Sequence, residues 1–285
     1  MKEKFDRIQK LNDGTIIQHG KSNDRVYLLK TGTLPTNKLI EILKILAQEQ
    51  QYSKIFAKSN VDDLPNFIEQ NFVIEAIIPK YFNGEKDLFY VCNYLTPVRA
   101  KESEELVNEY NSILKLAKSK IASNRNITQD TDSTIVIRKC TPQDTSQMVD
   151  IYRKIFSTYP FPICYKNYLI ETMNENIDYY CIKKNHQIIA LATAEINYDS
   201  KSAEMTDFAT LPEYSKQGLA TRLLRKMERN TAQKGIKTFH TIARAISPGM
   251  NITFAKLNYK FGGRLKNNTN ISGNIESMNV WYKKA

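Results

Sequence analysis

Apolar positions along this chain switch repeatedly between the two-residue period of a strand and the three-to-four-residue period of a helix. Residues 134–138 (TIVIR) form a short β-rich run, followed by Thr141 as a helix cap with Pro142 at the first helical position. Met148, Ile151, Tyr152, Ile155 and Phe156 then share one helical face. A second helix is expected over residues 165–174. Residues 179–183 and 187–196 flank Asn185 and His186, which predicts a hairpin, and Asp199 with Ser200 marks another turn. Ala203, Met205 and Phe208 belong to a strand that stops at Leu211 and Pro212, after which Leu219, Leu223 and Met227 recur at helical spacing to about Lys234. Strands are expected again at residues 237–242 and 276–283.

The first half has its own alternation. Residues 35–50 predict an amphipathic helix through Leu39, Ile42, Leu43 and Leu46, residues 54–58 (KIFAK) a strand, and residues 62–71 a helix. Strands are expected at 72–78 and 88–95, with Asn83 and Gly84 in the turn between them, and a helix at 102–122. Residues 123–133, rich in Asn, Thr and Asp, read as a linker. The chain thus divides into an N-terminal α/β domain, 1–130, and a C-terminal domain, 131–285.

The chemistry concentrates in the turn Ser215, Lys216, Gln217, Gly218 between the strand and helix of residues 202–224. A helix starting there has amide N–H groups without intrahelical partners, and with the dipole's positive end they suit a phosphate-bearing cofactor. An ordinary strand-to-helix connection is the alternative reading of that turn alone.

The wider pattern resembles the GNAT acetyltransferases. S-K-Q-G-L-A at 215–220 is similar to that family's Q/R-x-x-G-x-G/A turn, with Ser215 in place of the usual Gln or Arg. Asn251, Ala255, Tyr259 and Gly263 in NITFAKLNYKFGG resemble its second motif, N-x-x-(x)-A-x-x-x-Y-x-x-x-G. The resemblance implies an α/β fold with a GNAT-type mixed sheet flanked by helices. It also implies acetyl-CoA as cosubstrate, held by Leu211, Ser215, Lys216, Gln217, Gly218, Leu219, Ala220 and Thr221, with Asn251 contacting CoA or the acceptor; helix capping is the alternative for Asn251. Glu204, in A-E-M at 203–205, matches the glutamate of A-E-I that serves as base in some members. Glu195 is the reserve. Strand alternation puts Asp207 on the face opposite Glu204. Tyr259 is implied as the proton donor to the leaving thiolate, and His240 reads as structural.

The helix, strand, helix, strand, strand order of the first half suggests a partial GNAT-like module that shapes the acceptor site or dimerises. An unrelated α/β domain stays open as the alternative. The segment FDRIQKLNDGTIIQHGKSNDRVYLLK, with the ending ESMNVWYK, resembles the β-lysine N-acetyltransferases, a match of nearly full length. That implies transfer to the ε-amine of β-lysine, the product of lysine 2,3-aminomutase, to give a compatible solute for osmoadaptation. Arg244 is then the expected partner of the substrate carboxylate. Another small amine, a polyamine or a protein amine remains the alternative, and a noncatalytic CoA-sensing or nucleic-acid-binding module a further one.

Composition changes this picture little. With 285 residues, 41% hydrophobic and 25% charged, the chain is long enough for substantial cores. The net charge of +11 divides into +2 for residues 1–130 and +9 for residues 131–285, so the positive field sits with the motifs, where a polyanionic cofactor would be drawn in. No nucleic-acid recognition motif accompanies it. No apolar run is long enough for a membrane helix and MKEKFDRIQK has no signal-like apolar stretch, so a cytoplasmic location is expected. Cys92, Cys140, Cys164 and Cys181 lack metal-ligand spacing; free thiols and no metal are expected.

Overall fold

The computed structural model describes residues 5–121 and 134–285, so the expected linker lies outside the described residues. The first half runs β1 (Arg7–Lys10), β2 (Ile16–Gly20), β3 (Arg25–Lys30), α1 (Thr36–Glu49), β4 (Lys54–Ser59), α2 (Leu64–Glu69), β5 (Val73–Phe82), β6 (Lys86–Tyr94), α3 (Pro97–Ala100) and α4 (Glu104–Lys118). The second runs β7 (Ile135–Lys139), α5 (Thr145–Ile155), α6 (Lys166–Met173), β8 (Ile177–Lys184), β9 (Gln187–Asn197), β10 (Ser202–Thr210), α7 (Leu219–Ala232), β11 (Thr238–Arg244), α8 (Pro248–Lys256), β12 (Lys260–Ile271) and β13 (Asn274–Lys284).

Most expected elements are present, with differences that have local causes. α1 buries Leu39, Ile40, Leu43 and Ala47 and leaves Ile42 36% exposed, so its inward face is rotated from the expected one. The three strands before residue 30 were not expected, because their buried faces carry Gln18, His19 and Arg25 where alternation looks for apolar residues. β12 was also missed; its sequence KFGGRLKNNTNI is polar and glycine-broken.

Among the described residues thirteen strands form one sheet in the order β1-β2-β3-β4-β6-β5-β12-β13-β11-β10-β9-β8-β7. The two halves share a topology. β3 pairs with β4 in parallel across the helix α1, as β10 pairs with β11 across α7, and each parallel pair continues into two antiparallel neighbours, β6-β5 and β13-β12. Among the described residues the first half has no counterpart of β7, α5 and α6.

The halves meet edge to edge where Gly263 on β12 faces Ala76 on β5. A Cβ at Gly263 would stand 2.2 Å from the Glu75 carbonyl oxygen, and one at Gly262 would stand 2.5 Å from that of Ile77, so the close approach of the strands requires the glycine pair. Beside this joint the buried Lys54 ammonium pairs with Glu75 at 2.8 Å and donates to the Lys266 carbonyl at 2.7 Å, while Glu75 accepts the Lys266 N–H at 2.8 Å. These bonds offset the cost of burying both charges. α4 crosses to the second half, packing against α8 and placing Ala117 in that half's core, so packing does not divide at the expected linker.

Candidate active site

β10 and β11 pair in parallel only from Ser202 to Glu204. Beyond that β11 stays with β13, whereas the β10 ladder with β9 is interrupted by a bulge between Thr206 and Ala209 that holds Asp207 at φ +53°. The strands therefore splay. Thr206, Asp207 and Phe208 on one side of the wedge and Thr241, Ile242 and Ala243 on the other line a cavity of about 190 Å³. Its roof comes from the first half, through Gln18, Arg25, Tyr27, Phe56 and Lys58, and from the segment after α5, through Phe156 and Tyr159.

Three carboxylates meet in this cavity. Glu204 faces Glu195 across the β9–β10 ladder, and the bulge returns Asp207 to their side. The expectation that strict alternation would separate Asp207 from Glu204 is thus corrected: two residues in β10 stand opposite one in β9, and the side-chain phase inverts. Burial, reinforced by Glu204 and Asp207, pushes the Glu195 carboxyl well above the usual range. Burial also lifts Asp207 to about 6, against hydrogen bonds from Tyr159 and from Thr193 Oγ1 at 2.9 Å. At Glu204 burial acts in the same direction, but His240, Lys58 and the Ile242 amide outweigh it and hold the carboxyl below its ordinary value. His240 Nε2 lies 3.5 Å from Glu204 Oε2.

Past the wedge, Lys216 and Gly218 take left-handed backbone conformations, φ +63° and +73°, and Gly218 becomes the N-cap of α7 with no side-chain cap. The amides at the start of α7 are left for a ligand. Ser215, Lys216, Gln217 and Gly218 are exposed, Leu211 and Leu219 are buried beneath them, and nothing lies within 4 Å of where a Gly218 Cβ would be. The acetyltransferase (GNAT) family model matches residues 145–248, the segment containing the wedge and this turn. Over 284 residues the chain is 35% identical to the Beta-lysine N(6)-acetyltransferase of Methanococcus maripaludis, spanning 98% of this chain and 99% of that one. The chain belongs to the GNAT acetyltransferase family. It is 30% identical to the N-acetyltransferase YodP of Bacillus subtilis over 94% of this chain and 95% of that one, and 29% identical to the Beta-lysine N(6)-acetyltransferase of Methanosarcina mazei over 85% and 94%. It is an acetyl-CoA-dependent N-acetyltransferase, as GNAT enzymes are.

Within this GNAT enzyme the expected site residues separate into two groups. Glu204, Glu195 and Arg244 line the cavity, and the residues from Ser215 to Thr221 form the open turn and first helical turn. Tyr259 and Asn251 do not belong with them. α8 ends at Lys256, Asn258 reverses the chain at φ +64°, and Tyr259 follows as a fully buried residue outside the cavity, on the side of Glu228 and Lys283. Burial, then Glu228, raises its phenol well above the ordinary value, and the tyrosine is not among the residues that line the cavity. Asn251 is fully buried with its amide saturated: Nδ2 donates to the carbonyls of Arg244 (3.0 Å) and Ser247 (2.7 Å), and Oδ1 accepts from Asn279 Nδ2 (2.9 Å) and Trp281 Nε1 (2.8 Å). It has no bond left for CoA and instead locks α8 to β11 and β13.

Arg244 reaches the cavity, but its fork is already bidentate to Glu276, Nε at 2.8 Å and Nη2 at 2.6 Å. A partner within the protein thus occupies the Nε and Nη2 edge, and the Nη1 end is the part of the fork left to a ligand. The basic groups that reading the sequence missed are Arg25 and Lys58, on β3 and β4. Their only signal was a cation at a position where a half-buried strand would carry an apolar residue. On the sheet's far edge Cys140, Asp144 and Cys181 gather within metal-ligand reach, but Asp144 is committed to Arg138 (2.7 Å) and Lys183 (2.8 Å). No helix among the described residues is long and apolar enough to cross a membrane.

Proposed function

We propose that this enzyme transfers the acetyl group of acetyl-CoA to the ε-amine of β-lysine, giving N-ε-acetyl-β-lysine. The observation that carries this reading is the charge pattern of the cavity: Glu195, Glu204 and Asp207 on the β9–β10 wall, Arg25 and Lys58 on the wall supplied by the first half. A diamino acid presents ammonium and carboxylate groups at once, and a cavity with both signs matches it better than it matches a polyamine, which carries only cations. The near full-length relatives whose names specify β-lysine support the same acceptor.

Acetyl-CoA supplies an acyl group activated as a thioester. The amides at the α7 N-terminus and the turn around Gly218 hold its pyrophosphate, as the helix dipole and the open space over Gly218 favour. Glu204, kept ionised by His240 and Lys58, takes the proton from the substrate ammonium, directly or through water, and frees the nitrogen lone pair for attack on the thioester carbonyl. As the C–N bond forms the C–S bond breaks, CoA leaves as the thiolate and takes up the second nitrogen proton, and the first passes from Glu204 to solvent. Glu195, kept neutral, is a hydrogen-bond donor beside it and avoids a second negative charge on the same wall. The first half acts as the lid and acceptor wall of the catalytic half. A reaction that moves the amine of lysine from the α to the β carbon supplies the acceptor, and the product, zwitterionic and without its ε charge, suits accumulation as a compatible solute in the cytoplasm.

Purified protein incubated with acetyl-CoA and, in turn, β-lysine, lysine, ornithine and spermidine tests this reading by release of CoA thiol. β-Lysine should give the highest kcat/KM. Higher values for spermidine would replace it with a polyamine acetyltransferase.

A further inference from the structure

Arg25 is 4% exposed, lines the cavity, and stacks over Tyr27 and Phe56, with its guanidinium carbon 5.1 and 5.5 Å from the ring centroids. Its Nη1 donates to the Asn268 carbonyl and to Thr269 Oγ1, whereas its Nε is buried without a hydrogen-bond partner. The carboxylates around it are committed elsewhere: Glu75 to Lys54 (2.8 Å), Asp24 to Arg99 (3.6 Å), and Asp6 to the Asn23 side-chain amide (2.6 Å). Burial lowers its pKa to about 10, so it is still a cation at neutral pH.

Two acceptors on the same cavity are also unsatisfied. Gln18 and Asn268 are each 1% exposed, and Gln18 Oε1 and Asn268 Oδ1 are buried with no partner. The Gln18 Nε2 donates to the Pro160 carbonyl (3.4 Å) and the Asn268 Nδ2 to Thr269 Oγ1 (3.4 Å), which leaves both oxygens as the free ends. Buried polar groups are nearly always paired. The residues that carry these unpaired atoms, one cation and two amides, line one cavity, and together they match a ligand that bears both an anionic group and a donor.

We propose that Arg25, with the amide oxygens of Gln18 and Asn268, forms the subsite for the carboxylate and neighbouring β-ammonium of a β-amino acid. The Nε and Nη2 edge of Arg25 takes the carboxylate, and the two amide oxygens take the ammonium. The first half then selects the substrate and the carboxylate wall of the second half receives the reacting amine. This rests on the β-lysine reading above and assigns to Arg25 the carboxylate-binding role that the sequence suggested for Arg244, whose Nε and Nη2 edge is taken by Glu276.

Steady-state kinetics with three acceptors test it: β-lysine, 1,4-diaminopentane, which lacks only the carboxylate, and 6-aminohexanoate, which lacks only the β-amine. Arg25→Met should raise the KM for β-lysine by roughly ten- to a hundredfold, the range for a lost charge-assisted bond, and leave kcat/KM for the diamine within about twofold. Arg25→Lys should recover part of the loss. Gln18→Leu, which leaves the guanidinium in place, should erase most of the preference for β-lysine over 6-aminohexanoate. Equal losses on all three acceptors in Arg25→Met, at unchanged melting temperature and acetyl-CoA affinity, would overturn the subsite while β-lysine turnover by the unsubstituted enzyme keeps the acceptor assignment. If Arg25→Met does not fold, an unchanged acceptor preference in Gln18→Leu overturns it. Equal use of β-lysine and 1,4-diaminopentane by the unsubstituted enzyme would remove both.

Discussion

Glu204 and Glu195 stand directly opposite each other across the antiparallel β9–β10 pair, and both reach the cavity between the two halves of the protein. Two such carboxyl groups do not ionise alike. His240 and Lys58 hold the Glu204 carboxyl below its ordinary value, while burial and the Glu204 charge push the Glu195 carboxyl well above it. Base and neutral partner are set by surroundings, since the residue types are identical. Glu204→Gln is expected to lower kcat by about 100-fold or more while leaving the acetyl-CoA Kd within about twofold, measured by steady-state kinetics and calorimetric titration. A loss of less than about fivefold would pass the role to Asp207 or solvent.

Asp207 introduces a pH dependence of predictable sign. Its folded-state pKa of about 6 lies above the ordinary 3.8, so the folded protein holds this proton more tightly than the unfolded chain. The contribution is complete below about pH 4 and is lost as pH rises through about 6. Asp207→Asn should remove that fall from a plot of melting temperature against pH, and should flatten the limb near pH 6 in kcat/KM for a cationic acceptor, which binds better to the ionised carboxylate. An unchanged profile on both axes would show that Asp207 does not titrate there.

Tyr259→Phe should turn over at close to the unsubstituted rate, because the hydroxyl is sealed on the Glu228 side of the core. Asn251→Ala should instead cost about 2–4 kcal/mol of stability, since it leaves buried donors at Asn279 and Trp281 unpaired. Chemical denaturation and thiol-release assays on the two variants distinguish these roles. A hundredfold loss of kcat in Tyr259→Phe would restore the tyrosine to the mechanism.

Gly218→Val should weaken acetyl-CoA binding by at least tenfold. The cause is backbone strain and the bulk presented to the ligand, since φ is +73° and no protein atom lies within 4 Å of the new Cβ. Ser215→Ala should change the Kd less than threefold, because the turn offers backbone donors. Calorimetric titration compares the two, and an unchanged Kd in folded Gly218→Val would move the pyrophosphate elsewhere.

One chain should bind one acetyl-CoA despite its repeated topology. At the turn before α1, which corresponds to the Gly218 turn, the Leu34 amide donates to Asp13 Oδ2 (3.2 Å), the Thr33 amide to the Asp13 carbonyl (3.1 Å), and the Gly32 amide to Thr15 Oγ1 (3.0 Å). An internal carboxylate thus plugs the turn just ahead of α1 through the Leu34 amide. Calorimetry should return a stoichiometry near one per chain, and a value near two would contradict the plug.

The local parts of the fold and of the site were legible from residues alone. The α7 turn was, because a glycine-containing loop before a helical period has a fixed backbone consequence, and so was the A-E-M strand that carries Glu204. The position of Tyr259 relative to the cavity was not legible in the same way. Spacing along a chain locates a residue on an element but not where that element stops, and the reversal at Asn258 turned the tyrosine into the core. The bulge that brings Asp207 beside Glu204 has no sequence mark, since strand phase depends on the hydrogen bonds of β9. Arg25 and Lys58 enter the site only because Gly262 and Gly263 let β5 and β12 approach, joining two half-sheets into one. Sequence by itself determined which half carries the strand, glycine turn and helix that the family model matches; tertiary structure decided what faces the cavity, because that wall is built by pairing between residues more than a hundred positions apart.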